Sequence, residues 1–352
     1  MKKSTYHIIG VMSGTSLDGI DLAEIRFNYF EEKWSFKILA AETIPYSSFW
    51  RKELGEAINY SKESLERIDF KYTEKLSEEI LKFIKKHAIQ EIDAVCSHGH
   101  TVFHRPEKGV TYQIGNLPRL AKLLSQKVVC DFRVQDVALG GQGAPLVPIG
   151  DRLLFPRYDY CLNLGGFANC SYEKNGERIA FDICPVNIVL NKYAQKLGKD
   201  FDEDGKIAAL GKVDKNLLDK LNSHSFYSEK PPKSLGLEWV KANIFPLLDA
   251  LAISSETILS TFTEHVAMQL AKQFSVNSSV LVTGGGAYNS FLIERLKAHA
   301  AVTVIIPAPE IVEYKEALIF GLLGVLKLRN AINCLASVTG AERDHSSGKV
   351  YK

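Results

Sequence analysis

The stretch that most limits the folds open to this chain is Ile8 to Asp21, which reads Ile-Ile-Gly-Val-Met-Ser-Gly-Thr-Ser-Leu-Asp-Gly-Ile-Asp. An apolar run enters it and an alternating run, Leu22 to Phe27, leaves it, so the spacing predicts strand, tight turn, strand. Three glycines, three hydroxyl residues and two carboxylates crowd the segment. Glycine lets backbone N–H groups approach an anion with no Cβ in the way. Ser13, Thr15 and Ser16 can donate to phosphate oxygens. Asp18 and Asp21 would repel a bare phosphate and so imply a divalent cation or its water shell. An ordinary hairpin turn also favours Gly, Asp and Ser, but so dense a set of polar groups points to nucleotide phosphate. The chain has no P-loop sequence and no G-x-G-x-x-G fingerprint.

The rest of the chain repeats this opening. Trp34, Phe36 and Ile38 alternate in a third strand, which predicts an antiparallel meander. Ile68, Tyr72, Leu76, Ile80 and Ile84 then recur at helical spacing. Ile92 to Cys96 and Val128 to Cys130 read as buried strands ending in polar loops, Ser97 to Thr101 and Asp131 to Arg133; ligands gather at the carboxyl ends of such strands. The Gly140–Pro145 passage is the expected crossing between domains. After it the pattern restarts: Tyr158 to Leu162, a turn at Asn163 to Gly166, Phe167 to Tyr172, and Ile179 to Phe181 ending at Asp182. Helices are expected at Asn187 to Lys196, Thr257 to Phe274 and Tyr314 to Leu328. Gly321 and Gly324 in the last would allow close packing. Val280 to Thr283 is a buried strand running into Gly284-Gly285-Gly286-Ala287-Tyr288-Asn289, Val302 to Ile306 is a further strand, and His345 to Lys352 is expected to be a loose tail.

Two such halves imply an α/β protein of two ribonuclease-H-like lobes with an active-site cleft between them. One lobe is expected over 1–138, completed by 330–352, and the other over 139–329. Phosphate would lie between the two hairpin turns, with the Gly284 to Asn289 turn near base and ribose.

At 352 residues there is room for two real cores. With 43 basic against 41 acidic residues, nothing marks a nucleic-acid or anionic-membrane partner. No apolar run approaches a membrane span, and no secretory leader is expected, because the Gly/Ser turn stands where an apolar region would. The six cysteines form no C-x-x-C pair, so free buried thiols in a reducing cytoplasm are expected.

The turn from Gly10 to Asp21 resembles the signature of the anhydro-N-acetylmuramic acid kinases, members of the superfamily of sugar kinases, actin and heat-shock-chaperone ATPases. Supporting blocks follow in order over nearly the whole chain. They include Ser97-His98-Gly99, His104-Arg105-Pro106, Gln113 to Asn116, Asp131-Phe132-Arg133 and Gly140 to Pro148. Asn163 to Asn169, Asp204-Gly205, Pro232-Lys233-Ser234, Thr283 to Asn289, Lys315-Glu316-Ala317 and Val338 to Ala341 complete the series. The resemblance implies an ATP- and Mg2+-dependent kinase that opens the anhydro bridge of 1,6-anhydro-N-acetylmuramic acid with water and phosphorylates O6, in recycling of cell-wall murein. It also implies a homodimer, with a small-molecule sugar as partner.

For the site, the resemblance implies nucleotide binding by Gly14, Thr15, Ser16, Leu17, Asp18, Gly19, Asp21, Gly165, Gly166, Asn169, Gly284, Gly285, Gly286 and Asn289, with Asp18 holding the metal through water. Sugar binding would fall to His98, Gly99, His104, Gln113, Arg133, Asp182 and Glu316. Asp182 matches the family's catalytic aspartate; from its residues alone a strand-end carboxylate could equally be a helix cap. Arg133 can fork onto a lactyl carboxylate or pair with Asp131 or Asp136. Glu316 can bind substrate or sit on a solvated helix face, and His98 and His104 can contact sugar hydroxyls or be structural. The chain departs from the family pattern on the substrate side. Cys184 and Val186 replace glycines, Asn191 an aspartate, His100 a glutamine, and Gly150-Asp151 an aromatic-His pair. These changes leave open another amino or anhydro sugar, or a weakened nucleotide-binding regulator.

Overall fold

The computed structural model describes residues 3–14 and 17–352. The chain forms two compact units, Met1–Leu154 with Tyr314–Lys352, and Phe155–Glu313.

In the first unit, β1 (Thr5–Ser13), β2 (Gly19–Phe30) and β3 (Lys33–Pro45) make the antiparallel meander that the opening alternation predicts. β4 (Ala94–Arg105) lies parallel to β1, β6 (Val128–Cys130) lies parallel to β4, and β5 (Val110–Ile114) folds back on β4. β12 (Lys349–Tyr351) closes the far edge, giving the order β12-β6-β4-β1-β2-β3.

The strands β1 and β4 are apolar on both faces because helices cover both. On one side the helix Lys62–Lys86, capped by Ser61, sets Ile68, Tyr72, Leu76, Ile80 and Phe83 against Ile9, Val11, Ile20 and Val95. Burying each such side chain contributes about 1.5–3 kcal/mol. On the other side lies the helix Pro309–Leu328, whose Tyr314 departs from helical φ/ψ where the chain enters the first unit. Its approach needs glycine on both partners: a Cβ on Gly10 would stand 2.1 Å from the Ala317 carbonyl oxygen, and one on Gly324 would stand 2.1 Å from Cys96 Sγ.

The second unit repeats the plan. β7 (Tyr160–Leu164), β8 (Phe167–Lys174) and β9 (Glu177–Pro185) form an antiparallel meander, and β10 (Ser279–Thr283) and β11 (Thr303–Ile305) add in parallel, giving β11-β10-β7-β8-β9. In both units the third, second, first and fourth strands lie in that order, which is the ribonuclease-H-like arrangement. The helix Ser255–Ala271 buries Leu259, Phe262, Val266 and Leu270 in this unit's core.

Two expectations are corrected. The Gly140–Pro145 passage is not a crossing but part of the first unit: Gly143 N–H donates to Asp136 Oδ2 (2.7 Å) and Gln142 N–H to the Thr339 carbonyl (2.7 Å). The unit boundaries accordingly fall at Leu154 and Glu313. Nor is the tail loose. β12 pairs with β6, His345 bridges Cys334, and Ser347 Oγ donates to the Phe132 carbonyl (2.6 Å). A polar segment can be ordered when neighbouring backbone satisfies its polar groups, and hydropathy does not register that.

Candidate active site

In the first unit, β1 and β2 stay paired up to Ser13 and Ile20. Thr15 and Ser16 lie outside the described residues. Leu17 adopts a left-handed φ of 60°, and Asp18 is exposed beyond it. Gly19 has a packing reason of its own, since a Cβ there would lie 2.4 Å from the Ile44 carbonyl oxygen. Asp21 accepts a 2.6 Å hydrogen bond from Thr43 Oγ1 on β3.

The carboxyl end of β4 and its neighbours gather most of the residues expected to bind sugar. Arg133 Nε donates to His98 Nε2 at 2.8 Å, and its NH1 donates to the Gly143 carbonyl at 2.6 Å. His98 packs against Phe320 at a tilt of 49°, with ring centres 4.5 Å apart. Gly99, at φ 74°, has the Ile114 carbonyl 2.6 Å from where a Cβ would be. His104 Nδ1 and Gln113 Nε2 both reach Thr111 Oγ1, at 3.2 and 2.8 Å. Gln113 Oε1 is buried with no hydrogen-bond partner among the described residues, an acceptor suited to a ligand hydroxyl or amide.

Burial, with the Arg133 charge second, holds His98 well below the usual histidine range, and the same two causes depress His104. Burial raises the Glu316 carboxyl while Lys315 and Arg133 oppose it; Glu316 in turn counters the loss of charge that burial favours on Arg133. Arg133 makes no hydrogen bond to Asp131 or Asp136 among the described residues. Asp131 pairs instead with Lys349 at 3.0 Å, and Asp136 takes Gly143 N–H and Thr339 Oγ1.

In the second unit the register makes a polar row across four strands. Thr283 of β10 is opposite Asn163 of β7, Asn163 is opposite Asn169 of β8, and Asn169 is opposite Asp182 of β9. A bulge at Ile183 sets this register. Asp182 Oδ2 accepts Leu235 N–H at 2.8 Å, and its N–H donates to the Lys233 carbonyl at 3.1 Å. Its other oxygen takes no hydrogen bond among the described residues. Burial raises its pKa and the Leu235 N–H opposes this. The helix Asn187–Gln195 has Val186 at its N-cap position with no side-chain cap, so Asp182 does not cap it.

The Gly165–Gly166 turn is tied to that helix through Val186 N–H, which reaches the Gly166 carbonyl at 2.8 Å. Gly284 has φ 81° with Leu164 and Asn163 against it. Asn289 Oδ1 accepts Leu292 N–H and caps the helix Ser290–His299, while Gly205 packs on that same oxygen. The blocks at 204–205 and 284–289 therefore meet. Asn163 and Thr283 were not among the expected site residues; only strand register, which an isolated Asn or Thr does not announce, aligns them with Asp182.

The departures at Cys184, Val186, His100 and Gly150-Asp151 are absorbed locally. Cys184 and Val186 are fully buried in the second unit's core. His100 Nδ1 meets Ser13 Oγ at 2.9 Å, in a chain continuing to Tyr46 and Tyr72. Gly150 admits Ile319, whose Cγ1 would lie 2.6 Å from a Cβ, and Asp151 pairs with the buried Lys315 at 3.4 Å.

A ribonuclease-H-like strand order repeated in two units, each opened by a Gly-bearing hairpin, is the fold of the two-lobed sugar kinases. The family model described as anhydro-N-acetylmuramic acid kinase matches residues 6–352. Proteins of that name from Mannheimia succiniciproducens, Pseudomonas syringae pv. tomato and Caldanaerobacter subterraneus subsp. tengcongensis are 34%, 33% and 31% identical to it. The alignments cover 100%, 98% and 97% of this chain and 100%, 99% and 96% of those proteins. The chain belongs to the anhydro-N-acetylmuramic acid kinase family. No helix among the described residues is long and apolar enough to cross a membrane.

Proposed function

We propose that this protein is an ATP-dependent kinase that converts 1,6-anhydro-N-acetylmuramic acid to N-acetylmuramic acid 6-phosphate in murein recycling. The observation that carries the reading, beside family membership, is Asp182. It is a half-buried carboxylate with one oxygen held by Leu235 N–H and the other without a protein hydrogen bond among the described residues, at the end of a row of amide and hydroxyl side chains. That free oxygen can take a proton from water. Water oxygen then bonds to the sugar's C1 as the C1–O6 bond breaks, and O6 takes the γ-phosphoryl group as ADP leaves. One water proton passes to Asp182 and the other stays on the new C1 hydroxyl. A base raised by burial is better matched to this task than a solvated aspartate.

Arg133, held by His98 and Gly143, receives the lactyl carboxylate. Gln113 Oε1 accepts from the sugar, and Glu316 and His104 contact it. Gly14, Thr15, Ser16, Leu17, Gly19, Gly165, Gly166, Asn169, Gly284, Gly285, Gly286 and Asn289 cradle the nucleotide, and Asp21 supports the hairpin through Thr43. The exposed carboxylate of Asp18 offers hard oxygen donors that suit a hydrated Mg2+; that ion neutralises phosphate charge. Homodimer assembly and a cytoplasmic location belong to the same reading.

The test is incubation with ATP, Mg2+ and 1,6-anhydro-N-acetylmuramic acid, with mass spectrometry of the product. The expected product is heavier than the sugar by one water and one phosphoryl group. ADP release with other sugars but none with this one would overturn the assignment.

A further inference from the structure

Asp136, Cys334 and His345 meet inside the first unit, away from any role given above. All three are buried, at 0%, 1% and 6% exposure, and their carboxylate oxygen, sulfur and ring nitrogen lie within 4.8 Å of one another. Cys334 and His345 are brought together by backbone. They form an isolated antiparallel bridge in which Cys334 N–H donates to the His345 carbonyl (3.1 Å) and His345 N–H to the Cys334 carbonyl (3.2 Å). Asp136 comes from the short helix Val134–Ala138, about two hundred residues earlier, and faces His345 Nε2 at 3.5 Å.

The hydrogen bonds around these groups fix which ring nitrogen of His345 donates. His345 Nδ1 lies 3.1 Å from the Arg343 carbonyl, an acceptor only, so Nδ1 carries the proton and donates. In the neutral ring Nε2 is then a lone pair, and it is buried with no hydrogen-bond partner among the described residues. It points at a carboxylate, whose Oδ2 accepts from Gly143 N–H and whose Oδ1 accepts from Thr339 Oγ1 (both 2.7 Å). A lone pair facing a carboxylate oxygen is unfavourable in a buried setting unless a proton or a metal cation stands between them.

We infer that Asp136, Cys334 and His345 bind one thiophilic divalent metal ion of the zinc class, which fastens the C-terminal segment to the Asp136 helix. The donor set selects the metal: thiolate and imidazole favour zinc-like ions over Mg2+ and Ca2+, which want oxygen alone. Charge balances as well, since a dication with one carboxylate and one thiolate is neutral, as a buried site requires. Two bonds of about 2.1 Å at a tetrahedral angle span about 3.4 Å, close to the nitrogen–oxygen separation already present. The groups that orient the donors are also in place, namely the Arg343 carbonyl on His345 and Thr339 with Gly143 on Asp136.

Binding forms a metal–sulfur bond and releases the thiol proton to solvent. Gly143 joins this site to Arg133: its N–H bonds Asp136 and its carbonyl bonds the guanidinium. The ion would therefore steady the loop that carries Arg133.

The full chain, stripped with chelator and dialysed, is titrated with Co2+ and then Zn2+. One equivalent of Co2+ per chain is expected, with a thiolate-to-cobalt charge-transfer band and tetrahedral d–d bands that Zn2+ abolishes and a hundredfold excess of Mg2+ does not. Cys334→Ser should remove the charge-transfer band, and His345→Gln should weaken binding at least about tenfold, while Cys161→Ser leaves both unchanged. X-ray absorption of the zinc-loaded wild type, expected to show one sulfur among nitrogen and oxygen ligands, decides the matter if either variant fails to fold. Substoichiometric binding at micromolar free Zn2+, a charge-transfer band that survives Cys334→Ser, or a zinc shell without sulfur would overturn the site.

Discussion

Arg133 Nε donates to His98 Nε2 across 2.8 Å, and that contact fixes the histidine's state. An imidazole nitrogen that accepts from a guanidinium cannot carry a proton, so His98 is neutral and its proton sits on Nδ1, donating to the Gly99 carbonyl at 2.9 Å. His98 is then a rest that aims Arg133, with Phe320 against its ring.

Arg133→Lys keeps the charge but loses the planar fork. It should raise KM for the anhydro sugar about 10- to 100-fold, the worth of one charge-assisted hydrogen bond, with a much smaller change in KM for ATP. Steady-state kinetics with each substrate varied in turn will show it, and an unchanged sugar KM would remove Arg133 from the carboxylate.

Asp182→Asn should lower kcat by about two to four orders of magnitude while calorimetry still shows ATP binding. Because burial raises the Asp182 pKa, the acid limb of kcat/KM should sit above the ordinary carboxylate range, activity falling as pH drops through the raised value. The stability consequence has the opposite sign. The folded state holds this proton more tightly than the unfolded chain, so the charged carboxylate costs stability at neutral pH and the cost fades on acidification. Asp182→Asn should therefore melt no lower than wild type at pH 7, which separates lost chemistry from lost fold.

Lys315→Met removes the cation that stands 3.4 Å from the buried Asp151 carboxylate, and should destabilise the fold by up to about 3–5 kcal/mol in urea unfolding. Replacing both, as Lys315→Met with Asp151→Leu, should recover most of that loss. A double variant as unstable as the single one would show that the pair is not the energetic unit.

Gly324→Ala drives a methyl group into Cys96 Sγ, and should cost about 1–3 kcal/mol through overpacking. Gly109→Ala, where nothing lies within 4 Å of the new atom, meets no such contact; its φ of 66° makes strain its only cost. Thermal melts of the two variants distinguish crowding from backbone strain.

Much of this architecture is legible in the residues. The four-residue spacing of Ile68 to Ile80 and the three- and four-residue spacing of Leu259 to Leu270 name the buried helix faces, and the two glycine-turned meanders announce a repeated unit. The site was harder to read. Asp182 could be singled out as a strand-end carboxylate, but its alignment with Asn169 and Asn163 depends on a bulge at Ile183, and a bulge leaves no mark in hydropathy. Arg133 carried two readings, a substrate carboxylate or a nearby aspartate, because pattern cannot show that its Nε rests on a histidine brought in by another strand. The tail was misjudged for a related reason. Its order comes from Asn333, Phe132 and β6 receiving its polar groups, all of them distant in sequence or silent in composition.

The placement of β12 on β6 has a consequence for how the protein is made. A ribosome finishes every residue of the second unit before it reaches the helix Pro309–Leu328 beyond Tyr314 or the closing strand. The nascent first sheet must wait meanwhile with one face bare and the β6 edge unpaired, the state in which strands most readily recruit a stranger. Translation that pauses in the 155–313 stretch should therefore expose the early residues to chaperones or to aggregation, while the later-made unit can fold on its own contiguous chain.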